Sequence, residues 1–185
     1  MMVKLNPRKR SLLSLAATAA LSAALGFGLV ACDNAAQTAV SLAPVEIDRS
    51  TSCELDGMLL SDYPGPKAQV HYAGQAQPSF FCDTVELFNT LLAGEQVRAA
   101  KAVYVQDMGQ ADWQEPRGHW IDAKTAMFVL GSKRHGSMGP TIASFAQEAD
   151  ATKFAAEYGG KVLRFDAITK DMVDLSGAAL HDTRM

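Results

Sequence analysis

The feature that most constrains this chain is an apolar segment near its N-terminus. Residues 12–30 carry no charge, and a short stretch with four basic residues and no acid precedes them: Lys4, Arg8, Lys9 and Arg10. A run of that length could cross a bilayer as a helix, and a basic stretch before an apolar one is typical of an export signal. The chain is therefore predicted to be exported, and the folded domain must be built from the residues that follow.

The end of this segment distinguishes between two interpretations, a cleaved signal peptide and a permanent membrane helix. Small residues stand directly before a cysteine in Leu29-Val30-Ala31-Cys32, which resembles the lipobox of bacterial lipoproteins, since a signal peptidase accepts little else there. We predict a signal peptide over 1–31 and lipidation of Cys32 at the periplasmic face of a membrane. An uncleaved transmembrane anchor is the alternative. Asp33 resembles the inner-membrane retention signal of enterobacterial lipoproteins, while an outer-membrane location stays open.

The charge of the mature chain excludes one class of partner. Cleavage would leave the 154 residues from Cys32 to Met185, enough for one domain with a sizeable core. Four of the 17 basic residues precede the cleavage point, so 13 remain against 20 acids, and the formal charge is −7. Nucleic-acid binding needs a basic surface. A nucleic-acid partner is therefore excluded.

Composition divides the mature chain into three parts. Residues 32–44 are rich in Ala, Gln, Thr, Asn and Ser, with little to bury, and they predict a flexible tether. The domain is placed at 45–175, and 176–185 form a tail.

Periodicity predicts two similar units within this domain. In the first, 67–72 and 79–82 form a hairpin, a helix follows, and 101–107 returns as a strand. Asp83 and Glu86 have the spacing of a capping box at the start of that helix. In the second unit, the strand 126–130, a partner within 141–145, the helix 148–158 and the strand 161–165 follow in the same order. Short links between consecutive strands favour an α+β fold made of two hairpin–helix–strand (ββαβ) units.

The remaining cysteines and several methionines carry the chemistry of the chain. Cys53 and Cys82 are left after lipidation, and in an oxidising compartment such a pair most often forms a disulfide. A domain of this size does not need that bond to fold, so a role as free thiols stays open. The sequence lacks a phosphate-binding loop, a nucleophile elbow, a zinc-protease helix and a Cys-x-x-Cys pair, and we expect no enzyme.

Methionines next to glycines add further sulfur donors. Met58 follows Gly57, Met108 precedes Gly109, and Met138 precedes Gly139. Bends of this kind lie at the surface, and thiolate, thioether and imidazole donors select Cu(I) over hard cations. Met58 has an ordinary interpretation as a core gap-filler.

Seven segments in order make the chain resemble the NosL family of copper-binding accessory lipoproteins. They are Cys53-Glu54-Leu55-Asp56-Gly57-Met58, Asp62-Tyr63-Pro64-Gly65-Pro66-Lys67, Phe81-Cys82-Asp83-Thr84, Tyr104-Val105-Gln106-Asp107-Met108-Gly109, Ile121-Asp122-Ala123, Gly136-Ser137-Met138-Gly139 and Gly160-Lys161-Val162-Leu163-Arg164-Phe165. The resemblance extends from about Pro44 to Phe165.

This resemblance implies a periplasmic Cu(I) metallochaperone that serves the maturation of nitrous oxide reductase, through the membrane-associated Nos transporter assembly. It also implies a fold related to the organomercurial lyase MerB. Met108, Cys53 and Met58 are the ligands we favour, and Cys82, Met138 and His119 are further candidates. Many family members have a second cysteine at the position of Asp56. Its absence argues against zinc or disulfide use of this loop and places more of the binding on Cys53 and the methionines.

Two alternatives from other classes remain. One is a structural lipoprotein with a disulfide between Cys53 and Cys82. The other is a lyase that cleaves carbon–metal bonds, for which the two thiols and Asp56 are the candidate groups. Fold alone does not decide between these functions.

Overall fold

The computed structural model describes residues 41–94, 98–137 and 139–175. All of them belong to a compact unit that begins at Val40. Within these ranges no helix is both long enough and apolar enough to cross a membrane. The predicted signal peptide, Cys32, Met138 and the tail after Leu175 lie outside the described residues.

The first half of the domain is a four-stranded antiparallel sheet with one helix. Its strands are β1 (Ala68–Tyr72), β2 (Ser79–Phe81), β3 (Ala100–Gln106) and β4 (Trp120–Asp122), in the order β2-β1-β3-β4. Helix α1 (Thr84–Leu91) connects β2 to β3. The predicted hairpin, helix and strand are all present.

The second half repeats this arrangement. Strand β5 (Met127–Leu130) is followed by an inserted two-stranded hairpin of β6 (His135–Gly136) and β7 (Gly139–Pro140). Then come β8 (Ala143–Phe145), helix α2 (Glu148–Tyr158) and β9 (Lys161–Arg164), which form a sheet in the order β8-β5-β9. Two short 3-10 turns, Phe165–Ala167 and Lys170–Val173, close the described chain.

Both halves therefore place the first strand of the unit in the centre of its sheet. The orders β2-β1-β3 and β8-β5-β9 are the same hairpin–helix–strand topology, and the α+β class is confirmed. Strand β4 and the β6–β7 hairpin are additions that the sequence pattern did not predict. The relation to the MerB fold stays a prediction.

The main core lies where α1 packs between the two sheets. Leu87 and Phe88 of α1 join Phe81 and Val105 from the first sheet and Phe128 from the second in one buried cluster. The rings of Phe88 and Phe128 meet edge to face, 5.0 Å apart, a geometry that aromatic pairs favour. Helix α2 covers the other face of the second sheet.

The opposite face of the first sheet is covered by the chain that enters the domain. Strand residues alternate between faces, so the face away from α1 carries Phe80, Gln69 and Tyr104, which are register partners. The Gln69 amide pairs with both the N–H and the carbonyl of Val45 at 2.8 Å, and the Tyr104 hydroxyl donates to the Leu42 carbonyl at 2.9 Å. Residues 42–62 thus bring Cys53 onto this face.

Candidate metal centre

The alternation of β2 decides where the second thiol points. Phe81 faces the core, whereas Phe80 and the residue two positions further, Cys82, belong to a cluster on the covered face. Ile47, Cys53 and Leu60 from the entering chain complete that cluster, and Met58 and Trp120 pack against it. The two thiols are 29 positions apart in sequence and share one buried environment because the entering chain crosses the end of β2.

A tight loop holds Cys53 in position. The Cys53 N–H donates to the Met58 carbonyl at 2.8 Å, and the Gly57 N–H donates to the Cys53 carbonyl at 2.9 Å. Gly57 has a φ of 77°, a left-handed conformation in which glycine carries no side-chain penalty. The Glu54 N–H donates to the Phe80 carbonyl at 2.7 Å, which fastens the loop to the edge of β2. The Cys53 side of the site is therefore defined by backbone hydrogen bonds.

A buried carboxylate completes the cluster. Glu86 lies in the first turn of α1 and is fully buried, and its Oε2 lies within hydrogen-bond distance of the Cys53 Sγ, at 3.1 Å. One ligand atom from each of Cys53, Cys82 and Glu86 lies within 4.8 Å of the other two. Both cysteines are free thiols. Two sulfur atoms and one carboxylate oxygen therefore converge on one point.

The capping-box prediction is wrong for Glu86. The Asp83 side chain does cap α1, since it accepts from the Val85 N–H at 2.9 Å. Glu86, however, turns toward the Cys53 thiol instead of back to the N-cap N–H, and its Oε1 has no hydrogen-bond partner among the described residues. The buried Cys53 thiol is therefore the partner of Oε2, in place of the backbone N–H that a capping box would have provided.

A buried lysine lies beside the thiols. Lys67 is fully buried, and its Nζ donates to the carbonyls of Pro64 and Cys82, both at 3.0 Å. Burial lowers the Lys67 pKa, and the neighbouring Asp83, Cys82 and Glu86 oppose that shift. An ammonium group at this place favours negative charge on the cluster.

The three cluster residues have different affinities for protons. The hydrogen bond from Cys82 lowers the pKa of Cys53 to about 6, while the same contact and burial raise the pKa of Cys82 well above its ordinary value. Burial raises the pKa of Glu86 to about 9. At neutral pH Cys53 is therefore the reactive thiolate, and a ligand that needs both sulfur atoms must displace the proton of Cys82.

The structure brings some of the predicted ligands together and not others. Cys53, Cys82 and Met58 share the cluster. Met108 is half-buried and packs against the second cluster, which contains Met127 and Phe145. His119 is exposed and is not a member of the three-residue group, although its backbone contacts Asp107. The roles of Met108, Met138 and His119 as ligands stay predictions.

Sequence reasoning missed Glu86 and Lys67. Each is a charged residue inside a buried stretch, since Thr84–Phe88 are all buried and Lys67 precedes the buried strand β1. Long charged side chains are rarely fully buried unless they have partners. For Glu86, a charge within the apolar run Val85–Phe88, four positions after Cys82, was therefore the signal available in the sequence.

The fold and the cluster together define an α+β domain with a buried group of two thiols and one carboxyl group, whose donor atoms lie close enough to hold one metal ion. Comparison with known proteins identifies the family. The family model described as NosL matches residues 44–173. The chain is 38% identical to the copper-binding lipoprotein NosL of Stutzerimonas stutzeri over 163 residues, 87% of this chain and 84% of that protein. The chain belongs to the NosL family.

Two further relatives agree with this assignment. The copper-binding lipoprotein NosL of Achromobacter cycloclastes is 36% identical over 139 residues, covering 73% of this chain and 72% of that protein. The crystal structure of the copper chaperone NosL from Shewanella denitrificans is similar at a TM-score of 0.66 and 43% identity, over 70% of this chain and 96% of that one. The described fold is therefore the fold of this family.

Proposed function

We propose that this protein is a lipid-anchored Cu(I) carrier of the bacterial periplasm and that it delivers copper for the copper–sulfide centre of nitrous oxide reductase. The observation that carries the proposal is the convergence of Cys53 and Cys82 in one buried cluster, with Met58 packed against it. Thiolate and thioether sulfur are soft donors that suit a monovalent soft ion. The names of the relatives, copper-binding lipoprotein and copper chaperone, support the same cargo.

Cys53, Cys82 and Met58 are the Cu(I) ligands that this proposal favours among the described residues. The Cys82 Sγ lies 3.7 Å from the Met58 carbonyl oxygen, so the second thiol borders the loop that carries Met58. Cys53 supplies the thiolate at neutral pH because its pKa is lowered to about 6. A set of two or three sulfur donors also leaves a position through which an acceptor ligand can enter.

The surface above the cluster suits transfer to another protein. Residues 54–57 of the loop are exposed, and Leu55 and Leu59 are two of the exposed large apolar side chains. Copper held under a short exposed loop can pass to a partner that docks on that loop without unfolding of the domain. The partner we propose is the Nos transporter assembly, which the family resemblance implies.

Membrane attachment through Cys32 is part of the proposal. The leader ends in the sequence LVAC, and the relatives are lipoproteins by name. The distance from Cys32 to the first docked residue, Leu42, is ten residues, a reach of at most about 35 Å. That length limits how far Leu42 can lie from the membrane, which suits delivery to a membrane-bound acceptor.

Anaerobic Cu(I) titration of the mature chain, with Cys32→Ser to remove lipidation and the third thiol, tests the cargo and the ligands. We expect about one Cu(I) per chain, as for one site of few ligands. Cys53→Ser and Cys82→Ser should each weaken binding at least about tenfold because each removes a sulfur donor. Unchanged stoichiometry and affinity in both variants would refute the ligand assignment.

Delivery is tested in cells that respire nitrous oxide and lack the gene for this protein. The wild-type gene should restore the copper content of purified nitrous oxide reductase, and the Cys53→Ser, Cys82→Ser double variant should not. Restoration by the double variant at equal protein level would show that the reductase receives its copper without this site.

The lyase alternative gains one observation from the structure. Two thiols and a carboxyl group do meet, but the carboxyl group belongs to Glu86; Asp56 is exposed and accepts from the Met58 N–H at 2.9 Å instead. The carrier function is preferred because the relatives are copper proteins by name. Turnover of an organomercurial by the purified domain would reverse this preference.

A further inference from the structure

The two thiols are closed off from solvent, although they are the groups that the proposed function needs. Cys53 is 3% exposed and Cys82 is 0% exposed, so a solute reaches them only if a side chain around them moves. Their cluster has two further buried members, Ile47 and Leu60. The same two residues line a partly open cavity of about 300 Å³. Ile47 and Leu60 therefore form a wall between that cavity and the thiols.

The cavity lies between the entering chain and the loop that leads to β4. Its floor is apolar and buried, and its rim carries two basic and two acidic side chains, all of them exposed: Arg49, Arg117, Asp62 and Glu115. Its volume is at the lower end for small-molecule sites, and the mixed charges suit a small hydrated solute. The cavity therefore admits an ion held by a small polar chelator, and it is too small for a folded donor protein.

Leu60 is the fixed half of the wall. It begins the 3-10 turn Leu60–Asp62, and its N–H donates to the Thr51 carbonyl at 3.0 Å. Directly before it, Leu59 forms an isolated antiparallel bridge with Ser52. This backbone pairing leaves the Leu60 side chain little freedom to move outward.

Ile47 is the movable half of the wall, because it ends a weakly held strap, residues 42–47, in which every other residue is exposed. No backbone–backbone hydrogen bond joins the strap to the rest of the described chain. Side chains hold it instead, since Gln69, Tyr104 and Trp120 make four hydrogen bonds to it. The polar groups that are freed when the strap moves can bond to water, which keeps the cost of opening low.

We propose that this cavity is the entrance through which a small Cu(I) complex reaches Cys53 and Cys82, and that Ile47 is its gate. The strap moves outward, Ile47 leaves the cluster, and the cavity then joins the space around the thiols. This inference rests on the proposed function and concerns loading from a small donor, whereas the exposed loop 54–57 stays the surface for transfer to a protein. Ile47 controls access and does not itself bind the ion.

Thiol alkylation tests the gate without copper. The metal-free Cys32→Ser chain is treated with iodoacetamide, and mass spectrometry follows the modification of Cys53 and Cys82 separately. Ile47→Ala removes most of the gate. Ile168→Ala is the matched control, because Ile168 lies in the main core and is 3% exposed against 4% for Ile47. Ile47→Val and Ile168→Val are the milder pair if either alanine variant does not fold.

Two bulky substitutions decide which opening a small solute uses. Ser61→Trp fills the cavity, since Ser61 lines it and is half-buried. Glu54→Trp places the same side chain on the exposed loop next to Cys53. Stopped-flow measurement of Cu(I) loading from its glutathione complex is made on both variants, beside the alkylation.

We expect Cys53 alkylation to be at least about fivefold faster in Ile47→Ala than in the wild type, since a weakened wall opens more often. Ile168→Ala should change this rate by less than about twofold, because it loosens a different part of the domain. Ser61→Trp should slow alkylation and Cu(I) loading at least about threefold, and Glu54→Trp should leave both unchanged. In the wild type the Val45 N–H should exchange with solvent faster than the Leu60 N–H.

Three results would overturn the inference. Equal alkylation rates in Ile47→Ala and Ile168→Ala would remove Ile47 as the gate. Slower reaction in Glu54→Trp, with no change in Ser61→Trp, would place the entrance at the loop. Exchange of the Val45 N–H as slow as that of the Leu60 N–H would show that the strap stays closed. A chain that binds no Cu(I) but follows the expected alkylation pattern supports the gate and refutes only the proposed function.

Discussion

The Cys53 Sγ lies 3.1 Å from the Glu86 Oε2, and this contact joins a loop to a helix that begins 31 positions later in the chain. The pair brings a nucleophilic thiol and a buried carboxyl group to the same point as Cys82. A proton held between them must move before a metal can take both as ligands. Metal binding at the proposed site would therefore be coupled to proton release and to stability.

Met58 and Met108 should differ in their contribution to Cu(I) binding. Met58→Leu removes the thioether packed against the two thiols, and we expect Cu(I) affinity to fall by about tenfold. Met108→Leu should change it less, because Met108 packs against the second cluster. Competition with a chromophoric Cu(I) chelator measures both, with Met172→Leu as the control at an exposed methionine. The opposite order would show that Met108 is the ligand, as the family resemblance suggested.

Cu(I) affinity should rise with pH above about 6. In that range Cys53 is already ionised, since its pKa is lowered to about 6, whereas Cys82, whose pKa is raised, still holds its proton. Binding then releases one proton from Cys82, and the affinity increases about tenfold per pH unit. Below pH 6 a second proton, from Cys53, steepens the dependence.

Chelator competition between pH 5.5 and 8 measures this dependence, and proton release in a weak buffer gives an independent value. Cys82→Ser should flatten the profile above pH 6, because the titrating ligand is gone. A wild-type affinity independent of pH would contradict the assignment of Cys82 as a ligand.

Glu86 should destabilise the metal-free fold at high pH. Its folded pKa is raised to about 9 from an ordinary 4.5, so the folded state keeps a proton that the unfolded state has lost. The stability contributed by protonated Glu86 is full below pH 4.5 and declines as the pH rises toward 9. Glu86→Gln removes this decline.

Urea unfolding at pH 5.5 and 8.5 compares the free energy of unfolding of the two proteins. From pH 5.5 to pH 8.5, the free energy of unfolding of Glu86→Gln should rise by more than about 1 kcal/mol relative to that of the wild type. Glu54→Gln, at an exposed carboxylate, should follow the wild type. A constant difference between Glu86→Gln and wild type would mean that the carboxyl group titrates normally.

Gly136→Ala should destabilise the fold and weaken metal binding. A Cβ atom at Gly136 would collide with the Asp83 carboxylate. That carboxylate is held by the Val85 and Ser137 N–H groups and by the Thr141 hydroxyl, so it cannot move without loss of hydrogen bonds next to Cys82. Overpacking of this kind costs about 1–3 kcal/mol.

Thermal unfolding and Cu(I) titration check this prediction. Gly94→Ala is the control, since a Cβ at Gly94 meets no atom within 4 Å. A variant at Gly136 as stable as this control would show that the contact between Asp83 and the β6–β7 hairpin is loose.

The sequence by itself determined the two hairpin–helix–strand units and the donor types. Helix α2 runs over Glu148–Tyr158 as predicted, because its end at Gly159 is a local signal, with a φ of 79° that glycine adopts freely. The β1–β2 hairpin and the Asp83 cap were equally local. The prediction of an export signal and the soft character of the sulfur donors also follow from residues read in order, without reference to packing.

Only the tertiary structure decided which donors meet. Cys53 reaches Cys82 because residues 42–62 cross the outer face of the first sheet, held by Gln69 and Tyr104. Glu86 had a valid local interpretation as part of a cap, and a buried thiol overrode it. Hydrogen bonds within a helix turn depend on neighbours in sequence. The convergence of distant side chains depends instead on how the elements pack, and the sequence pattern alone does not specify that packing.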